Sequence, residues 1–214
     1  MKSLYVLGDS ISMHYGPYLD TYLRGLMEYA RKSGEDEAQL DLDKPQGANG
    51  GDSAMVLGYL RARAATNPIT ADLLLFNCGL HDVKTDIVTG TKQVPVGLYA
   101  ANLEAIVAEI RRMGSSPVWV RTTPCDSEIH NARKKDFHRF SRDVVEYNAV
   151  ADGVMAAQGV PILDLYTFTT NQGPNLYCDH VHFQEGVREK QAAFLAGSLT
   201  VLRMQEVAFI PSRY

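Results

Sequence analysis

The sequence predicts a single α/β domain, residues 1–214, built on a parallel sheet. Three observations carry this. Short, continuously apolar runs recur along the chain. Segments with apolar residues at helical spacing alternate with them. The 214 residues, 45% hydrophobic, suffice for one core. An unbroken apolar run is the pattern of a strand covered on both faces, and the intervening helices are the crossovers that parallel strands need.

The elements follow in order. Leu4-Tyr5-Val6-Leu7 is a short apolar run ended by Gly8 and reads as a buried strand. Residues 16 to 33 carry Leu19, Tyr22, Leu23, Leu26 and Tyr29 at helical spacing, and Leu40-Asp41-Leu42 reads as a weak second strand. Residues 53 to 65 are rich in Ala and Leu and predict a helix. Leu73 to Phe76 is again a buried strand. Residues 97 to 113 form an amphipathic helix through Leu98, Leu103, Ile106, Val107 and Ile110, with Gly114 as its stop. Val118-Trp119-Val120 is the next strand, 141 to 157 a helix, Val160 to Leu165 a strand and 185 to 203 the last helix. Three stretches lack a period: 83 to 96, 124 to 140 and 166 to 184. Each follows a predicted strand end, where open α/β sheets place their sites.

Composition narrows the function. With 21 Lys+Arg against 25 Asp+Glu, a net charge of -4 gives no electrostatic reason to bind nucleic acid or an anionic membrane. The basic run Arg133-Lys134-Lys135 is followed at once by Asp136 and reads as a solvated surface segment. Cys78, Cys125 and Cys178 show neither paired nor zinc-like spacing, which fits reduced thiols and a cytoplasmic protein. The apolar run at the N-terminus is too short for a signal-peptide core of about 7–15 residues, though a removed export signal would alter that expectation. Near the other end, Val207-Ala208-Phe209-Ile210-Pro211 is apolar. It is expected either to pack back onto the core or to meet a second subunit.

The chemistry-bearing residues lie at strand ends. In Gly8-Asp9-Ser10 the serine follows directly on the first strand, where the chain must turn and a side chain can be exposed in a crevice. A serine hydroxyl needs a base, and the base needs an orienting carboxylate. Cys178-Asp179-His180-Val181-His182-Phe183 offers both, with Asp179 and His182 three residues apart. His180 competes with His182 as base, and Asp179, His180 and His182 are also metal-ligand types. Acyl transfer further needs donors aimed at an oxyanion. Gly51, within Asn49-Gly50-Gly51-Asp52-Ser53, and His81, within Asn77-Cys78-Gly79-Leu80-His81-Asp82, are candidates beside the N–H of Ser10. A second Gly-Asp-Ser ends at Ser53, where a helix begins, and helix capping accounts for that serine.

Together these segments resemble the SGNH (GDSL-type) hydrolase superfamily. Its blocks are Gly-Asp-Ser after the first strand, a glycine before a helix, Gly-x-Asn-Asp after a middle strand, and Asp-x-x-His near the C-terminus. They stand here as Gly8-Asp9-Ser10, Gly51, Gly79-Leu80-His81-Asp82 and Asp179-His180-Val181-His182. The resemblance implies a three-layer α/β/α sandwich of flavodoxin-like type, with Ser10 as nucleophile and oxyanion donor, His182 as base, Asp179 as orienter and Gly51 as a backbone donor. It implies no metal or organic cofactor. Thr122-Thr123-Pro124 looks like the family's pocket wall, and Asp9 and Thr123 are expected at the substrate. The departure is His81, which stands where the family has asparagine and would have to supply that side-chain donor. The expected activity is ester hydrolysis through an acyl-enzyme, with a small-molecule or carbohydrate ester as partner and acetyl as the favoured acyl group. Lysophospholipase, thioesterase or acyltransferase activity uses the same residues. A binding protein of this fold without turnover is the remaining alternative.

Overall fold

The computed structural model describes residues 1–208, with side chains up to Met204. Five strands, β1 (Lys2–Leu7), β2 (Met27–Arg31), β3 (Leu73–Phe76), β4 (Ser116–Val120) and β5 (Ile162–Leu163), form a sheet in the order β2-β1-β3-β4-β5. Every pairing is parallel. The helices are α1 (Ser10–Leu23), α2 (Glu35–Gln39), α3 (Ser53–Thr66), α4 (Val96–Arg112), α5 (Ser127–Arg133), α6 (Ser141–Ala157), α7 (Leu165–Thr170) and α8 (Glu185–Ala208).

The chain steps one way from β1 to β2 and the other way from β2 through β3, β4 and β5. Right-handed crossovers then put α1 on one face of the sheet and α3, α4 and α6 on the other. The packing agrees: α1 lies against α8 and α8 against α7, while α3 packs on α4 and α4 on α6. The direction of winding reverses between β1 and β3, the position beyond whose carboxyl ends open α/β sheets place their sites. Continuous apolar strands fit this arrangement. Leu73, Leu74, Leu75 and Phe76 are all buried because both faces of β3 are covered, and Trp119 of β4 meets Phe76 edge to face at 5.1 Å.

Two expectations near the N-terminus are corrected. The helix expected over 16–33 starts at Ser10 and ends at Leu23, and the chain then turns through Gly25 at φ +76. Residues 27–31, which continue the helical spacing, instead pair with β1 from Lys2↔Met27 to Val6↔Arg31. Met, Glu, Ala and Arg favour helix locally, so the edge-strand state comes from this pairing and not from propensity. The strand expected at Leu40–Leu42 is absent: the chain turns there after α2, with Leu40 N–H donating to the Glu37 carbonyl and Lys44 N–H to the Asp41 carbonyl. Leu40 is exposed, and Leu42 packs beside Met13, Ala38 and Ala48.

Of the unpatterned stretches, 124–140 contains α5, and α7 runs into the start of 166–184. β5 is only two residues long, and α8 continues past 203 to Ala208. Beyond that helical backbone, the apolar segment ending at Pro211 lies outside the described residues. No described helix is long and apolar enough to cross a membrane.

Candidate active site

Ser10 stands at the reversal point of the sheet. It opens α1 directly after β1, and Asp9 caps the helix by accepting the Ile11 N–H at 3.0 Å. The loop after α7 brings Asp179 and His182 over it. His182 Nε2 lies 2.8 Å from Ser10 Oγ, and His182 Nδ1 lies 2.7 Å from Asp179 Oδ2. The other carboxylate oxygen, Oδ1, accepts the N–H groups of Val181 and His182 at 2.8 and 2.7 Å, so the turn that forms the Asp-x-x-His spacing also fixes the carboxylate. Partial burial raises the Asp179 carboxyl, but the His182 ring and these two N–H groups outweigh it and hold it well below the usual carboxylate range. A carboxylate ionised in this way binds Nδ1–H and leaves the Nε2 lone pair facing the serine hydroxyl.

Two glycines shape the loops around Ser10. Gly51 sits at φ +73, and a Cβ there would come within 2.7 Å of both Pro45 Cβ and Met55 Sδ. Gly79 sits at φ +155, and its Cβ would fall 2.3 Å from Thr122 Oγ1. That close approach lets Thr122 Oγ1 donate to the Cys78 carbonyl at 3.0 Å, joining the ends of β3 and β4 and setting the start of the turn that carries His81. His81 is 3% exposed. Burial, then the charges of Lys84 and Arg139, hold its ring far below the ordinary histidine pKa, so the imidazole is neutral and has one N–H to donate.

The match to known families now decides the assignment: residues 6–186 match the GDSL-like lipase/acylhydrolase family. The chain belongs to that family. Structural neighbours share its fold at low identity. A lipase/acylhydrolase from Enterococcus faecalis is 18% identical with a TM-score of 0.70, covering 94% of this chain and 96% of that one. The acetyl xylan esterase AlAXEase is 13% identical with a TM-score of 0.68, covering 92% and 99%. Est24, a carbohydrate acetylesterase from Sinorhizobium meliloti, is 15% identical with a TM-score of 0.62, covering 94% and 100%. Comparison with curated proteins gives no significant match.

Within this GDSL-like chain, several expected site residues stand differently. Asp9 and Thr123, expected at the substrate, are 2% and 4% exposed and border an internal void of only about 10 Å³. Asp9 is committed to capping α1, so its carboxylate turns inward. The N–H of Gly51, expected to face an oxyanion, donates to Asn49 Oδ1 at 3.0 Å and reaches an oxyanion only by sharing or leaving that bond. The Ser10 N–H lies in the first turn of α1, where no intrahelical acceptor exists. Ser53 does not cap α3. Asp52 does, accepting from Met55 N at 3.0 Å, while Ser53 Oγ accepts from Asn102 Nδ2 at 2.9 Å. His180 meets Asp43 Oδ1 at 3.0 Å through Nε2, lies 3.6 Å from Asp179 Oδ1 through Nδ1, and among the described residues makes no hydrogen bond to Ser10.

Sequence reasoning missed three residues around the site. His14 follows Ser10 by one helical turn and packs edge-on against His182 at 5.0 Å between ring centroids. Burial, then Arg188 and His182, push it down to about 3, so it packs as a neutral ring. The four-residue spacing was the available signal. Arg139 is buried, and its Nε donates to the Leu80 carbonyl at 2.7 Å, bracing the residue before His81. Asp43 holds His180 and Lys134 at 3.0 and 2.8 Å, so Lys134 is ion-paired and not part of a solvated run. Nothing local marks Arg139 or Asp43, because their partners are distant in sequence.

Proposed function

We propose that this GDSL-family protein is a serine esterase that works through an acyl-enzyme and removes small acyl groups, acetyl above all, from carbohydrate or similar hydroxyl-rich alcohols. The observation that carries the reading is the continuous hydrogen-bond chain from Ser10 Oγ through His182 to Asp179. In the first step His182 Nε2 takes the hydroxyl proton as Ser10 Oγ bonds to the ester carbonyl carbon. The developing oxyanion is met by the Ser10 N–H and by neutral His81, with Gly51 contributing once its N–H turns from Asn49. Collapse breaks the bond to the alcohol, which leaves with the proton held by His182. Water, deprotonated by the same ring, then releases the acid and frees Ser10.

Support for the acyl and alcohol preference is narrower. Two structural neighbours are described as an acetyl xylan esterase and a carbohydrate acetylesterase, and a cleft beside the site is lined mainly by polar and charged residues. Three unpaired cysteines fit the cytoplasmic residence read from the sequence. Hydrolysis rates across p-nitrophenyl esters from acetate to octanoate test the proposal. The expected result is a kcat/KM that falls steadily with chain length. A maximum at octanoate would replace it with a long-chain acylhydrolase.

A further inference from the structure

A cleft of about 560 Å³ adjoins the site, with Asp43, Pro45, Lys84, Gln93, Lys134 and Phe137 among its walls. Four of these walls touch a loop of the site. Pro45 lies against Gly51, and Gln93 Nε2 reaches Asp52 Oδ2 at 3.3 Å. The N–H of Lys84 donates to the His81 carbonyl at 3.3 Å, and Asp43 holds His180. The cleft therefore opens beside the loops that carry Gly51, His81 and His182.

The charges around this cleft leave one cation without an acid. Lys44 pairs with Asp41 at 3.2 Å, Lys134 with Asp43 at 2.8 Å and Asp136 at 3.4 Å, and Lys92 with Asp143. Asp86 accepts the N–H groups of Val88 and Thr89 in its own turn. Among the described residues no carboxylate pairs with Lys84. Its ammonium donates to the Asp43 carbonyl at 2.8 Å and lies 4.5 Å from the centre of the Phe137 ring. That contact with a carbonyl uses one of three N–H donors. Arg139 lies 4.9 Å from the same ring and, among the described residues, makes no ion pair. Lys84 and Arg139 thus flank Phe137 without a direct ion pair of their own, with the Asp43 and Asp136 carboxylates acting on both at longer range. Burial and then Arg139 push the Lys84 ammonium down to about 8, against the pull of Asp43 and Asp136.

We propose that Lys84 anchors an anion subsite in this cleft, which takes a carboxylate or phosphate group on the alcohol portion of the ester. The proposal rests on the serine-esterase reading for the word ester, but its binding step does not. Calorimetry tests it with product-like phenols: 4-hydroxybenzoate and 4-hydroxyphenyl phosphate against neutral 4-hydroxybenzamide, on wild type, Lys84→Met and Lys84→Arg. At least one anion should bind wild type about ten-fold more tightly than the amide. That preference should vanish in Lys84→Met and persist in Lys84→Arg, and the tighter anion names the group. Equal binding of all three phenols by wild type, or an undiminished preference in folded Lys84→Met, overturns the subsite. Turnover of 4-acetoxybenzoate and 4-acetoxybenzamide separates the two readings. Anion preference in binding with neither ester cleaved refutes the esterase and keeps the subsite; cleavage of both without preference refutes the subsite alone.

Discussion

Ser10 Oγ and His182 Nε2 lie 2.8 Å apart, although 172 residues separate them in the chain. Ser53, the other serine in a Gly-Asp-Ser, is buried and bonded to Asn102, and among the described residues no histidine hydrogen-bonds its hydroxyl. The two positions therefore give opposite outcomes.

Ser10→Ala should abolish p-nitrophenyl acetate hydrolysis down to about 10³–10⁴-fold over water, the residue left by donors and binding alone. Ser53→Ala should keep kcat within a few-fold and lower stability, because Asn102 Nδ2 loses its buried acceptor, a loss of about 1–3 kcal/mol. Initial rates and urea unfolding on both variants check this. Full activity in Ser10→Ala would remove the serine mechanism.

Burial, then Lys84 and Arg139, keep the His81 pKa far below 6.5, so the neutral ring has an N–H with which to fill the proposed donor role. His81→Ala should lower kcat by about 10²–10³ with the fold intact. His81→Asn, which restores a neutral side-chain N–H, should recover part of that loss. Between pH 6 and 9 the rate profiles of wild type and His81→Asn should share one shape, because His81 does not titrate there. An unchanged kcat in folded His81→Ala would rule out its role as donor.

Asp82 makes stability depend on pH. Burial pushes its carboxyl up to about 7, against the pull of its bonds from Ser53, the N–H at 2.9 Å among them, and Oδ2 has no hydrogen-bond partner among the described residues. An unfolded aspartate titrates near about 3.9, so the folded chain holds an extra proton between roughly pH 4 and 7. The stability this group contributes is present at low pH and is lost as pH rises through that window, levelling off above it. Asp82→Asn keeps an acceptor for Ser53 and removes the titration. Its stability relative to wild type should therefore rise between pH 4.5 and 7.5, by at most a few kcal/mol. Urea unfolding at both pH values measures the difference, and a constant difference would contradict it.

Much of the sheet was legible because its central strands are covered on both faces. Leu4–Leu7, Leu73–Phe76 and Val118–Val120 are apolar without interruption, and no other role suits such runs in a chain of this composition. Met27–Arg31 was not legible. It is an edge strand with one half-exposed face, its residues favour helix, and only pairing with β1 makes it extended. Asp9 was misread for a related reason: its motif marks it as near the site, but capping α1 turns its carboxylate inward.

The sequence by itself determined the local pieces: apolar strands, helix starts, the glycines that permit tight turns, and an Asp-x-x-His spacing that closes on itself. Both Gly-Asp-Ser tripeptides obey the same local rule, with Asp9 and Asp52 as caps and Ser10 and Ser53 opening their helices. Which serine meets a histidine was decided only by the tertiary structure. The reversal of strand order sets Ser10 at the carboxyl end of β1 under the loop of His182, while Ser53 faces Asn102 of α4 in the helix layer. Local rules act within a turn or two of the backbone, and a contact across 172 residues exists only once packing has brought the two ends of the chain together.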